Sequence, residues 1–275
     1  MSEVAINKIE VRNVFKVFGN RQKDVLALIQ QGRNKDQVLA ETGCVVGIND
    51  LSLSIRAGEV FVIMGLSGSG KSTLVRHLNR LIDPSSGQIL VDGKNILEYD
   101  MPALRQFRRH TISMVFQGFG LLPHRNVLDN VAYGLNVRGE RAAHCEERAR
   151  HWIGQVGLQG YEHAFIHQLS GGMRQRVGLA RALATDTDII LMDEAFSALD
   201  PLIRAEMQEQ LLVLQQTLRK TIVFITHDLD EALRIGNRIA VLKDGQLIQV
   251  GTPQEILHSP ADEYVNRFVQ RRRAD

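Results

Sequence analysis

"EVFVIMGLSGSGKSTLVRHL", Glu59–Leu78, decides the fold. Val60–Met64 is a continuous apolar run, the pattern of a strand buried on both faces. Gly65 ends it, and a helix opens at Lys71. Between them, Gly65–Ser72 fits the spacing G-x-x-x-x-G-K-[ST] in the strand-then-helix context that gives the spacing meaning. Glycines let the backbone curl until its N–H groups converge on one point, which suits phosphate oxygens. Lys71 adds positive charge toward the β- and γ-phosphates of a nucleotide. The Ser72 hydroxyl suits Mg²⁺, a hard ion that prefers oxygen. A Gly/Ser turn that merely happens to precede a lysine would not need the flanking strand and helix.

The same rhythm continues outward. "INKIEVRNV" and "GINDLSLSI" alternate as strands, and "GQILVDG" reads as another strand between turns. "ISMVF" (Ile112–Phe116), "IILMD" (Ile189–Asp193) and "TIVFIT" (Thr221–Thr226) are short apolar runs suited to central strands of a parallel sheet covered by helices. Strands alternating with helices indicate an α/β core. Two segments break the pattern. Residues 20–42 read as two short helices interrupted at "GRN", between strands that a tight hairpin could have joined. Residues of about 124–175 hold a helical stretch, clearest from Val127 to Phe165, that reads as a subdomain inserted in the core. The tail has strands "RIAVLKDG" and "QLIQVG", then helices within 253–275. No repeat or low-complexity tract is present.

Candidate chemistry gathers at strand ends, where an open α/β sheet holds its ligands. Asp193 and Glu194 close "IILMDE". An aspartate there suits Mg²⁺, directly or through water, and the next glutamate suits a base that polarises an attacking water. Gln117 and His227 also follow strands; such residues are commonly structural, and their shared position beside a nucleotide is what raises them. "LSGGMRQR" (Leu169–Arg176) has the make-up of a second anion site, with Ser170 as a helix cap and two glycines behind it. In "SALDP" (Ser197–Pro201), Asp200 reads as an N-cap and Pro201 as the first helical turn. Met207, Leu211, Leu214 and Leu218 then form an ordinary core face. Of Phe15 and Phe18, one near a nucleotide could stack on its base.

Composition narrows the class. The 275 residues are 44% hydrophobic and 5% aromatic, as expected of a globular chain with a sizeable core. Lys plus Arg is 33 against 31 for Asp plus Glu, a net charge of +2 that argues against a general nucleic-acid binder. The closing "RFVQRRRAD" is locally basic, either a solvated tail or a loose contact with anionic lipid. Cys44 and Cys145 lie far apart without CxxC spacing, so no disulfide framework or zinc site is expected and a reducing cytosol fits. "MSEVAINKIE" lacks the apolar run of a signal peptide. No apolar stretch approaches the roughly 20 residues that span a bilayer.

Taken in order, Gly65–Ser72, Gln117, "LSGGM", "IILMDE", "SALD" and His227 resemble the Walker A, Q-loop, signature, Walker B, D-loop and switch histidine of an ABC-transporter ATPase subunit, over nearly the whole chain. The resemblance implies a RecA-like P-loop NTPase core, α/β, with an antiparallel β-subdomain and a helical subdomain, as one nucleotide-binding domain. It implies ATP and Mg²⁺. Phosphate contacts fall on Gly65, Ser67, Gly68, Ser69, Gly70, Lys71, Ser72 and Thr73, with Phe18 against adenine and Phe15 packed inside. Ser72, Gln117 and Asp193 organise Mg²⁺. Glu194 acts as base, held by His227, with Gln117 beside it. In this family two subunits stack head to tail, so Ser170, Gly171, Gly172, Met173 and Asp200 serve the ATP of the other copy. The segment "GFGLLPHRNV" after Gln117 meets a membrane subunit.

The insert at 20–42 and Met173, where ABC ATPases usually have Gln, resemble the quaternary-amine uptake subgroup that imports glycine betaine, proline betaine, choline or carnitine. That implies a homodimer on two integral-membrane permease subunits, a periplasmic or extracellular solute-binding protein, no nucleic-acid partner, and a peripheral place on the cytoplasmic face of a bacterial plasma membrane. Some members carry CBS domains; none follows Asp275 in this sequence, and regulation through them is not expected. Uptake of histidine, trimethylamine N-oxide or another small solute remains open by kinship, as does a soluble ABC ATPase without a transport role.

Overall fold

A computed structural model describes residues 6–197 and 199–274, with side chains to residue 270. The leader reading at the first residues and the basic run at 271–275 therefore fall largely outside what is described. The chain divides into two compact units, one running to Tyr99 and resuming at Thr226, the other Asp100–Ile225.

In the first unit, β1 (Asn7–Phe18) is followed by α1 (Gln22–Gln30), α2 (Lys35–Thr42) and β2 (Val45–Arg56). β1 and β2 pair antiparallel. Burial on β1 falls on Ile9, Val11, Val14 and Val17, so the alternation slips where the register shifts between Val11 and Val14. Asn13 sits there at φ 45°, the mark of a bulge. α1 and α2 are separate because Asn34 starts the second helix. Its side chain accepts from Gln37 N at 2.9 Å while Gln37 Oε1 accepts from Asn34 N at 3.0 Å. Their undersides place Val25 and Val38 with Val17, Cys44 and Val46 in a small core of their own. The insert thereby covers the β1–β2 end of the sheet, and Cys44 serves as a packed apolar residue.

Next come β3 (Val60–Met64), α3 (Lys71–Leu78), β4 (Ser86–Val91) and β5 (Lys94–Asn95). The antiparallel sheet has the order β2-β1-β4-β5. β3 is buried at every position, which explains its unbroken apolar run.

The second unit holds α4 (Met101–His110), β6 (Ile112–Val115), α5 (Val127–Arg138), α6 (Ala142–Gln155), α7 (Gly171–Ala184), β7 (Ile189–Asp193), α8 (Pro201–Leu218) and β8 (Thr221–Thr226). β6, β7 and β8 pair in parallel in that order. β7 and β8 are wholly buried. β6 is not: it ends the row and leaves Ser113 and Met114 half-buried, so it is an edge strand rather than the central one its apolar run implied. The helical stretch is α5 and α6, and α7 carries helix on to Ala184.

The chain returns to the first unit with α9 (Leu229–Ile235), β9 (Arg238–Lys243), β10 (Gln246–Gly251), α10 (Pro253–His258) and α11 (Glu263–Ala274). β9 pairs parallel with β3 and antiparallel with β10. Among the described residues no helix is long and apolar enough to cross a membrane.

Candidate nucleotide site

The turn between β3 and α3 is curled by glycines in conformations that side chains resist: Gly65 has φ 153°, Gly68 φ 78° and Gly70 φ 98°. Lys71 is buried at the helix start, and its Nζ donates to the carbonyls of Gly65 (2.8 Å) and Leu66 (2.9 Å). Its ammonium thus lies folded over its own loop. Ser72 and Thr73 follow half-buried in the first turn of α3. The loop is braced by the β9–β10 turn. Gly245 N donates to Ser69 O at 3.0 Å, and Asn49 N donates to Gly245 O at 2.9 Å.

Phe18 ends β1 and is 40% exposed, while Phe15 is half-buried. The Phe18 ring lies on Gly47: a Cβ there would come within 2.7 Å of the ring. The Gly47 carbonyl in turn packs on Gly70, where a Cβ would approach it to 2.6 Å. An exposed aromatic face therefore continues through Gly47 into the phosphate loop. Gly47 was missed by motif reading, although a lone glycine inside an alternating strand signals close backbone approach.

In the second unit, Asp193 closes β7 and is 1% exposed. Glu194 follows at φ 46°, a strained setting for a residue with a side chain. Its carbonyl accepts from Ser197 Oγ at 2.9 Å, and its Oε2 accepts from Gln117 Nε2 at 3.0 Å. Gln117 itself is exposed, two residues past β6. His227 is exposed, immediately after β8.

Ser170 and Asp200 are both helix N-caps. Ser170 Oγ accepts from Met173 N at 3.3 Å, and Asp200 Oδ1 accepts from Ile203 N at 3.1 Å. The two caps line one open cleft with Gly171, Gly172, Met173 and Tyr161. A Cβ on Gly172 would meet the Ile203 side chain at 3.0 Å, a tight contact, so the starts of α7 and α8 lie close together. Two helix N-termini facing one cleft make it favourable for an anion. Local chemistry gave Asp200 only a capping role, while the family resemblance grouped it with Ser170; packing places the two beside one cleft.

The loop after Gln117 is held by side chains that motif reading did not single out. Arg181, on α7, donates to Gly120 O (2.8 Å) and Phe119 O (3.1 Å), and Arg174 lies over the Phe119 ring. Asn130 is fully buried; it accepts from Leu122 N and donates to the carbonyls of Leu122, Arg125 and Asn126. No local pattern marks either residue, because their partners lie in an irregular loop.

The family model described as "ABC transporter" matches residues 48–197, more than half of the chain. The chain belongs to the ABC transporter family. Its fold is the mixed α/β fold of ABC ATPase cassettes. The cassette is 56% identical over 263 residues to the glycine betaine/proline betaine transport system ATP-binding protein ProV of Escherichia coli (strain K12), covering 96% of this chain and 66% of that protein. It is 52% identical over 262 residues to the trimethylamine N-oxide transport system ATP-binding protein TmoW of Ruegeria pomeroyi, covering 95% of this chain and 77% of that protein. Among solved structures, the ATP-binding cassette MJ0796, in a dimeric post-hydrolysis state bound to ADP and Pi, superposes with a TM-score of 0.76 at 30% identity, over 89% of this chain and 98% of that one. The chain thus spans just under two thirds of the length of ProV.

Proposed function

We propose that this chain is the ATP-hydrolysing subunit of a bacterial ABC importer for a quaternary amine such as glycine betaine, proline betaine or choline. The observation that carries the reading is the 56% identity to ProV across 96% of the chain. In this reading ATP lies on the loop of Gly65–Thr73 with its adenine on Phe18. Lys71 exchanges its two carbonyl partners for phosphate oxygens. Glu194 accepts a proton from the attacking water, and His227 is the residue assigned to hold it.

Mg²⁺ would be held by the Ser72 hydroxyl, the Gln117 amide oxygen and the Asp193 carboxylate, and when bound it supplies charge neutralisation at the phosphates. The donor set fits. It offers a hydroxyl, an amide oxygen and one carboxylate, all hard oxygen donors, and Mg²⁺ usually keeps substrate oxygens and water among its other ligands.

The cleft of Ser170 and Asp200 favours the reading that each copy completes the ATP site of a second copy. Two copies would bind two integral-membrane permease subunits from the cytoplasmic face, with solute delivered by a periplasmic or extracellular binding protein. Closure of the pair on ATP and its release after hydrolysis is a ligand-driven switch of two states.

Uptake of trimethylamine N-oxide is the second reading, favoured by the 52% identity to TmoW. Transport by the complex reconstituted with its permease, tested with betaines, choline, carnitine, histidine and trimethylamine N-oxide, decides between them. Uptake of none of these, with ATP turnover intact, would overturn both.

A further inference from the structure

The first peptide of the phosphate loop is tied to the far end of the chain. Leu66 O accepts from Lys71 Nζ at 2.9 Å, and Leu66 N donates to the hydroxyl of Tyr264, on α11, at 3.2 Å. That hydroxyl donates in turn to Leu242 O, also at 3.2 Å. The same Leu242 carbonyl sits under Gly65, where a Cβ would come within 2.3 Å of it. Gly65, Leu66 and Tyr264 therefore converge on the last turns of β9. The ring is held on two sides: Phe268 packs edge-on at 5.2 Å, and Lys243 Nζ lies 5.1 Å from the ring centre. Burial pushes the phenol pKa up, which keeps the hydroxyl protonated and able to donate to Leu242.

We infer that Tyr264 is a positioning residue for the nucleotide: its hydroxyl holds Leu66, and through it the phosphate loop, in the conformation that receives phosphate. This rests on the reading of Gly65–Thr73 as the ATP phosphate loop. The argument is one of what remains when ligand arrives. In the proposed reading Lys71 turns from the carbonyls of Gly65 and Leu66 toward phosphate oxygens, so its hold on the loop weakens as ligand binds. The Tyr264 bond uses an N–H turned away toward α11, so it does not compete with phosphate and persists in both states. A loop already held in its receiving shape spares the ligand the cost of ordering it. If only a fraction of molecules has that shape, the apparent Kd rises by the inverse of that fraction.

The test is Tyr264→Phe, which keeps the ring and removes only the hydroxyl. Three quantities are measured on the full chain: amide hydrogen exchange at Leu66 without nucleotide, equilibrium binding of ATP, and steady-state hydrolysis. Losing one such hydrogen bond is expected to raise the ATP Kd and KM about three- to tenfold, with kcat at saturating ATP within about twofold of the parent. Exchange at Leu66 should speed by a similar factor. A lower unfolding temperature with unchanged ATP affinity would overturn the inference, because Tyr264 would then only anchor α11. Unchanged exchange at Leu66 would overturn it as well. Failure of the unaltered chain to bind ATP would instead remove the phosphate-loop reading on which the inference stands.

Discussion

Gln117 and Glu194, on the loop after β6 and at the end of β7, are joined side chain to side chain by a 3.0 Å hydrogen bond. The contact is possible because β6 and β7 pair in parallel, with Val115 beside Met192, so both strands deliver their next residues at the same end. The Glu194 carboxylate is thereby aimed by a neutral donor, and its backbone is pinned by Ser197.

Glu194→Gln is therefore expected to lower ATP hydrolysis about 10²- to 10⁴-fold, the usual loss when a general base is removed. ATP-dependent dimerisation, followed by light scattering or sedimentation, should persist. Near-normal turnover in this variant would dismiss Glu194 as the base.

Ser170→Arg fills the cleft shared with Asp200 and alters no residue of the phosphate loop. ATP binding to the single chain should be unchanged, while dimer closure and hydrolysis are lost. Turnover at the parent rate would show that the cleft takes no part in the reaction.

Phe18→Ala removes the exposed ring that lies on Gly47. Stacking of a base on an aromatic ring is worth about 1–3 kcal/mol, so ATP affinity should fall roughly tenfold or more. Phe18→Tyr should restore it. Equal affinities for parent and Ala variant, measured by titration, would place adenine elsewhere.

His77 supplies a pH signature of stability. It is fully buried in α3, its Nδ1 faces the Ile82 carbonyl at 2.7 Å, and burial holds its pKa below the usual histidine value, the carbonyl offsetting this in part. The unfolded chain then takes up a proton first as pH falls. Stability is full above about pH 6.5 and declines below it, levelling only once the folded-state imidazole also charges. The unfolding midpoint should drop between pH 7 and pH 5, and His77→Gln should flatten that dependence. An equal slope in both proteins would assign it to other groups.

Much of the candidate site was legible as local chemistry. Gly65–Ser72 carries its own explanation, since glycines, a lysine and a serine between a buried strand and a helix can be read without knowing what lies nearby. The capping roles of Ser170 and Asp200 were equally local, because an N-cap bonds a backbone N–H three residues on. Asn130, Arg181 and Tyr264 were not legible. Each acts on a backbone group of an irregular loop or of a segment far away in sequence, and no periodicity encodes such a partner. β6 was misjudged for a related reason: an apolar run of that length does not say whether it has one neighbouring strand or two.

The sequence by itself determined the phosphate loop, the alternation of strands and helices, and the chemical types available at each strand end. These follow from backbone preferences and side-chain chemistry over a few residues. Only the tertiary structure decided that Phe18 lies on Gly47 beside the loop, that Ser170 and Asp200 share a cleft, and that Tyr264 holds Leu66. Those neighbours are set by strand pairing and close packing across long stretches of chain. Burial of apolar surface drives that packing without direction, and the fit of glycine gaps and buried hydrogen bonds selects which residues finally meet.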